Sequence, residues 1–242
     1  MKSSARLLVL ALAALALVSC AKSQEPAFNK KVHEYLLQHP EVLDEMVAKL
    51  QEKKRLDANK QAAAMIQLHR TELVADARDV VINPQGKLTI VEFFDFRCGY
   101  CKSSAPEVLR IIAENPEVRF VFKQFPIFGG ESNLAAKVAL SPAAKLKGLE
   151  VYRAFMAENA LDEAAIDRNL ATLGIDPKGA KLAAESRDIQ KQIDDTHTLA
   201  KSLNLEGTPA FIVGDRLIPG ADLSALRAAV VMAKAEGLKK PG

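Results

Sequence analysis

Cys98 and Cys101 stand two residues apart, separated by Gly99 and Tyr100, directly after the apolar run Leu88–Phe96. Thiols at that spacing, where a strand hands over to a helix, can be closed into a disulfide and reopened. The reactive form of a thiol is the thiolate, and an ordinary cysteine is mostly protonated at neutral pH. A helix N-terminus changes this, because its unpaired N–H groups and dipole stabilise negative charge. The spacing predicts Cys98 at such a terminus and Cys101 one turn inside it. Cys98 is then the attacking and leaving thiol, and Cys101 resolves the mixed disulfide. Gly99 and Tyr100 tune the balance through backbone freedom and local donors.

Zinc is the main competing use of two such cysteines. A structural zinc site needs four ligands, and there is no second pair. His33, His39, His69 and His197 are scattered and read as surface or helix-packing residues. Neither a metal nor a cofactor is expected beyond the pair itself. Two soft thiolates also suit copper(I), which makes a copper-binding chaperone the alternative from a different class. No Met cluster accompanies them.

The elements that must position the pair follow from periodicity. The chain of 242 residues is 49% apolar and 26% charged and lacks Trp, a soluble globular composition with an aliphatic core. Leu88–Phe94 reads as a strand covered on both faces. A helix runs from the Cys pair to about Glu114, where Asn115-Pro116 stops it. Val118–Phe122 is a second strand, parallel to the first through a right-handed crossover. Asp79–Ile82 suits a short preceding strand, with a turn at 83–86. Residues 132–203 are helical and alanine-rich, with Asp162 and Asp176 as N-caps. Ala210–Val213 is a strand, Gly214-Asp215 a hairpin turn, Arg216–Ile218 the return, and Asp222 caps a last helix. The order is β-α-β, a block of helices, then β-β-α.

Residues 1–19 read as a signal peptide. Lys2 and Arg6 precede an apolar run, Leu7–Val18, too short to span a bilayer. Leu17-Val18-Ser19-Cys20 resembles the bacterial lipobox, so the expectation is export to the periplasm and a membrane tether through lipidated Cys20. Only Cys98 and Cys101 then remain as thiols, too few for a disulfide framework. Lys2 and Arg6 supply two of the three net positive charges, and no basic cluster follows, so nucleic acid is not an expected partner.

Residues 20–78 read as a leader and a helical arm. Val32, Leu36, Leu43, Met46, Val47 and Leu50 recur at helical spacing, and Pro40 opens a second helix. Residues 51–60 are strongly polar, and Ala62, Met65, Ile66, Leu73 and Val74 form a thin apolar stripe beyond. Such an arm cannot bury its apolar side alone. It must pack either on its own domain or on copies of itself, and a homo-oligomer through residues 29–76 is the favoured expectation.

The stretch Val91-Glu92-Phe93-Phe94-Asp95-Phe96-Arg97-Cys98-Gly99-Tyr100-Cys101-Lys102 resembles the active-site segment of the DsbA-like thioredoxin-fold proteins. Leu205–Val213 resembles that family's cis-proline loop. The resemblance covers 79–242 and implies an α/β thioredoxin fold with a helical insertion at about 131–203, preceded by the arm. It implies that Pro209 is cis and lies beside Cys98. It also implies that Thr208 offers its backbone to an extended client segment, and that Glu92 is a buried acid assisting proton movement at Cys101. Asp95 and Lys102 are expected to be solvated neighbours. His33–Leu43 is similar to the N-terminal segment of the suppressor-of-copper-sensitivity protein C (ScsC) group. There the arm mediates oligomerisation, and oligomeric members tend toward disulfide shuffling. The resemblance therefore implies an isomerase or reductase acting on exported cysteine-bearing proteins and recharged by a DsbD-type membrane reductase, with a DsbA-like oxidase as the alternative. The lipobox at Cys20 departs from that group.

Overall fold

The structure is a computed structural model that describes residues 25–239. The predicted signal peptide and Cys20 lie outside the described residues. Contacts divide the chain into two units, the first ending at Asp57 and the second beginning at Ala58.

In the first unit, helix α1 (Glu25–Gln38) is followed by α2 (Glu41–Leu68), whose last turns belong to the second unit. The break falls at His39-Pro40. Proline bars the α conformation at the residue before it and cannot donate to the preceding turn. The predicted apolar positions Val32, Leu36, Leu43, Met46, Val47 and Leu50 remain 40–63% exposed.

In the second unit a five-stranded sheet is flanked by helices on both faces. Its order is β1-β3-β2-β4-β5, with β1 Val80–Ile82, β2 Leu88–Phe94, β3 Val118–Gln124, β4 Ala210–Val213 and β5 Arg216–Pro219. Strands β2 and β3 are parallel and joined by α4 (Gly99–Glu114), as the crossover rule predicts. The β1–β3, β2–β4 and β4–β5 pairs are antiparallel. The β4–β5 turn is Gly214-Asp215, and Gly214 has φ 65°, a left-handed value that glycine adopts without strain.

Alternation along β2 assigns its side chains to two layers. Ile90 and Phe94 face a core with Val108, Ile111 and Ile112 of α4, and Glu92 shares their side of the strand. Val91 and Phe93 face the other layer with Val121 of β3. Six helices lie between β3 and β4: α5 (Gly130–Ala139), α6 (Pro142–Lys145), α7 (Gly148–Ala157), α8 (Glu163–Thr172), α9 (Pro177–Ala184) and α10 (Arg187–Ser202). Asp162 and Asp176 cap α8 and α9 as expected, accepting the Ala165 N–H at 2.7 Å and the Gly179 N–H at 3.0 Å. Asp222 caps α11 (Leu223–Lys239), accepting the Ala225 N–H at 2.9 Å. This is a thioredoxin fold with a helical insertion.

The segment between the first unit and β1 has a structural part to play. Ile66 of α2 and Leu73 of α3 (Arg70–Val74) are buried with Val91, Phe93 and Val121 and with Leu199 and Leu203 near the end of α10. The stripe seen at Met65, Ile66, Leu73 and Val74 thus covers one face of the sheet. Of the two surfaces open to the arm, its own domain or a second copy, this part meets its own domain, so the favoured self-association over residues 29–76 is corrected for Ile66 and Leu73.

Candidate active site

Cys98 is the N-cap of α4, with φ −71° and ψ 121°, and its side chain caps no N–H. The sulfur sits at the helix end, where the N–H groups of Tyr100 and Cys101 favour its thiolate form. It sits 3.2 Å from the Thr208 carbonyl oxygen, which accepts the S–H when the thiol is protonated. The Thr208–Pro209 peptide is cis. The Thr208 hydroxyl is buried with no other partner among the described residues, which leaves its O–H available to a thiolate. Gly99 and Tyr100 are exposed, whereas Cys98 and Cys101 are buried.

The two thiols are driven in opposite directions. Cys98 is held down to about 5, chiefly by the hydrogen bond that Cys101 gives it; partial burial opposes this, and Thr208 and the Cys101 and Tyr100 N–H groups assist. Burial pushes the Cys101 thiol far above the usual range, reinforced by the bond to Cys98 and the negative charge of Glu92. These opposite shifts favour the thiolate at Cys98 and the thiol at Cys101.

Glu92 is fully buried, and its carboxyl is pushed up to about 8 by burial, against a hydrogen bond from Tyr152 that favours the anion. The Tyr152 hydroxyl lies 3.2 Å from each carboxylate oxygen. Sequence reasoning missed Tyr152. It stands sixty positions away on α7, among Val151, Phe155 and Met156, and no local spacing ties it to Glu92.

Two expectations are corrected. Asp95 is buried, not solvated: its carboxylate accepts the N–H groups of Arg97 at 2.8 Å, Ile127 at 2.7 Å and Phe128 at 3.1 Å. Each of these contacts is an N–H donor, so the buried carboxyl is satisfied. It fastens the turn before Cys98 to the loop after β3, where Ile127 and Phe128 expose apolar surface. Lys102 is half-buried and donates to the carbonyls of Phe155 at 3.3 Å and Glu158 at 2.5 Å, partnering orphan groups at the end of α7. Both residues are scaffold.

Among the described residues no group of three or more His, Cys, Asp or Glu side chains is gathered as a metal would require. His197 stacks edge-on against Phe125, a packing role.

Comparison with known proteins adds the context. Residues 89–229 match the DSBA-like thioredoxin domain, and residues 24–55 match the Copper resistance protein ScsC N-terminal domain. A thioredoxin-like oxidoreductase from Silicibacter pomeroyi DSS-3 is 34% identical with a TM-score of 0.63, covering 69% of this chain and 98% of that one. BcfH of Salmonella enterica Typhimurium is 27% identical with a TM-score of 0.71, covering 90% of this chain and 99% of that one. The thiol:disulfide interchange protein DsbA of Bordetella pertussis is 29% identical over 140 residues, 54% of this chain and 65% of its own length. The chain spans 26% to 65% of the length of the curated relatives it matches. It belongs to the DSBA-like thioredoxin domain family and joins that domain to an N-terminal segment of the ScsC type.

Proposed function

We propose that the protein is a thiol–disulfide oxidoreductase that exchanges disulfides with cysteine-bearing exported proteins, working as an isomerase or reductase. The observation that carries this reading is geometric: Cys98 stands at the N-cap of α4, 3.2 Å from the Thr208 carbonyl oxygen of the cis Thr208–Pro209 peptide, with Cys101 buried in the first turn of the same helix. The Cys98 thiolate attacks a client disulfide, forming a mixed disulfide and releasing one client thiolate. Thr208 next to the cis peptide offers its backbone to the client as an added strand. Glu92 takes the proton of Cys101. The Cys101 thiolate attacks the Cys98 sulfur, the Cys98–Cys101 bond forms, and the second client thiolate leaves. Alternatively the client's own thiol displaces Cys98, and the client is isomerised with no net redox change.

The direction rests on the arm. Of the arm expected over residues 29–76, the part before Ala58 leaves the stripe from Val32 to Leu50 uncovered within its own unit, and we assign that part to homo-oligomerisation. Several sites on one assembly retest the pairings of a single client. Export, a lipid on Cys20 and recharging by a DsbD-type reductase complete the reading. The depressed Cys98 thiol also favours a second reading as a dithiol oxidase, because whatever stabilises the reduced form makes the disulfide more oxidising.

The test pairs insulin reduction with refolding of scrambled ribonuclease. The protein should do both, and Cys98→Ser should do neither; retained activity in that variant would falsify the exchange chemistry. A pair found reduced in cells supports the isomerase or reductase, and one found oxidised supports the oxidase.

A further inference from the structure

Glu92 is enclosed by groups that cannot share its charge. Its sheet neighbours are Phe122 on β3 and Phe211 on β4. From α4 it is approached by Cys101, whose thiol feels its charge. From α7 comes Tyr152, the one hydrogen-bond donor to it among the described residues, and no Lys or Arg among them pairs with it. A carboxyl buried in this way tends to keep its proton, and an acid that keeps its proton cannot take one from Cys101.

Tyr152 is fixed where it can correct this. Its ring lies 4.5 Å from Phe122, 5.2 Å from Phe94 and 6.4 Å from Phe96, centroid to centroid. The phenol is buried and pushed well above its usual range by burial and by the Glu92 charge, so it stays a donor throughout the working pH range. Its oxygen stands equally far from both carboxylate oxygens, at 3.2 Å, so either can accept.

We propose that Tyr152 is a positioning residue for proton transfer at Cys101, acting by donating its O–H to the Glu92 carboxylate. The inference rests on the role given to Glu92 above. The donated bond favours the ionised form, which is the form that accepts a proton. The Cys101 S–H gives its proton to that carboxylate. The resulting thiolate attacks Cys98 in the mixed disulfide, the Cys98–Cys101 bond forms, and the client thiolate departs with the electron pair. Glu92 returns the proton to that thiolate or to water. The client disulfide gains two electrons and the enzyme pair loses them.

The experiment uses the full-length reduced protein and 5,5′-dithiobis(2-nitrobenzoate). The first thionitrobenzoate released reports attack by Cys98, and the second reports attack by Cys101 on the mixed disulfide. The rate of the second release should rise with pH to an inflection set by Glu92. In Tyr152→Phe, isosteric in its Phe cage, that inflection should move up by about one pH unit, the worth of one hydrogen bond to a charged group. Below the inflection the second release should slow about tenfold. Glu92→Gln should abolish the inflection. If Glu92→Gln abolishes it and Tyr152→Phe leaves it in place, the Tyr152 inference is overturned and the Glu92 role stands. If it survives in Glu92→Gln, the Glu92 role itself is overturned. A purely structural Tyr152 would change the rates without moving the inflection.

Discussion

At the scale of single residues, the site works by unequal burial. Cys98 and Cys101 are chemically identical, and the fold separates their proton affinities by placing one at a helix terminus and the other behind it, facing a carboxylate. Glu92 also leaves a signature in stability. Its carboxyl titrates at about 8 in the folded protein against 4.5 ordinarily, so the native state binds this proton more tightly than the unfolded chain does. The stabilisation is complete below about 4.5 and is lost as pH rises through about 8, several kcal/mol in all at ~1.4 kcal/mol per unit. Cys98 has the opposite sign, because its depressed thiol stabilises the reduced fold at high pH and loses this as pH falls through about 5. The measurement therefore belongs on the oxidised protein, where neither thiol titrates. Denaturant unfolding at pH 5 and pH 8 should show wild type losing more stability than Glu92→Gln over that interval. Equal losses would mean that Glu92 does not titrate there.

At the scale of elements, the segment 70–79 is tied to the sheet by a second buried charge. Lys123 of β3 lies 2.6 Å from Asp79, both side chains are 2% exposed, and the ammonium also donates to the Glu72 carbonyl of α3 at 2.5 Å. Gln192 of α10 donates to Asp79 at 3.3 Å. Burial raises Asp79 to about 6, against the pull of Lys123. Breaking a buried pair by removing one partner costs about 3–5 kcal/mol, because the other charge is left uncompensated. Lys123→Met should therefore destabilise by about that much at pH 8 and by clearly less at pH 5, where Asp79 can take a proton; a pH-independent cost would refute the pairing. Little of this was legible in the sequence. Nothing in the local spacing singles out Lys123 or Asp79, because a pairing between residues so far apart in sequence leaves no periodic trace. Strands, caps and the thiol pair were legible because each is written in local spacing. Asp95 and Tyr152 were not, because their roles depend on the loop after β3 and on β2, elements distant in sequence.

At the scale of the molecule, the boundary at Asp57 decides how the arm should be tested. The sequence marks an arm reaching about Asp76, yet Ile66 and Leu73 are buried against the sheet of the second unit. A chain cut at Asp79 would lose both side chains, and each large apolar residue removed from a core costs about 2–5 kcal/mol. Its behaviour would mix lost folding with lost association. A chain beginning at Ala58 keeps that layer and removes only the exposed stripe from Val32 to Leu50. If the stripe drives association, light scattering should give a monomer for the chain from Ala58 and an oligomer for the chain with its arm. Cys98, Cys101, Thr208 and Glu92 are all retained, so insulin reduction should persist. Refolding of scrambled ribonuclease should fall, because a lone site releases a half-sorted client that neighbouring sites would hold. An oligomer that survives the cut would put the interface in the second unit. A monomer that still refolds ribonuclease at full rate would detach isomerisation from assembly, leaving the arm some other task.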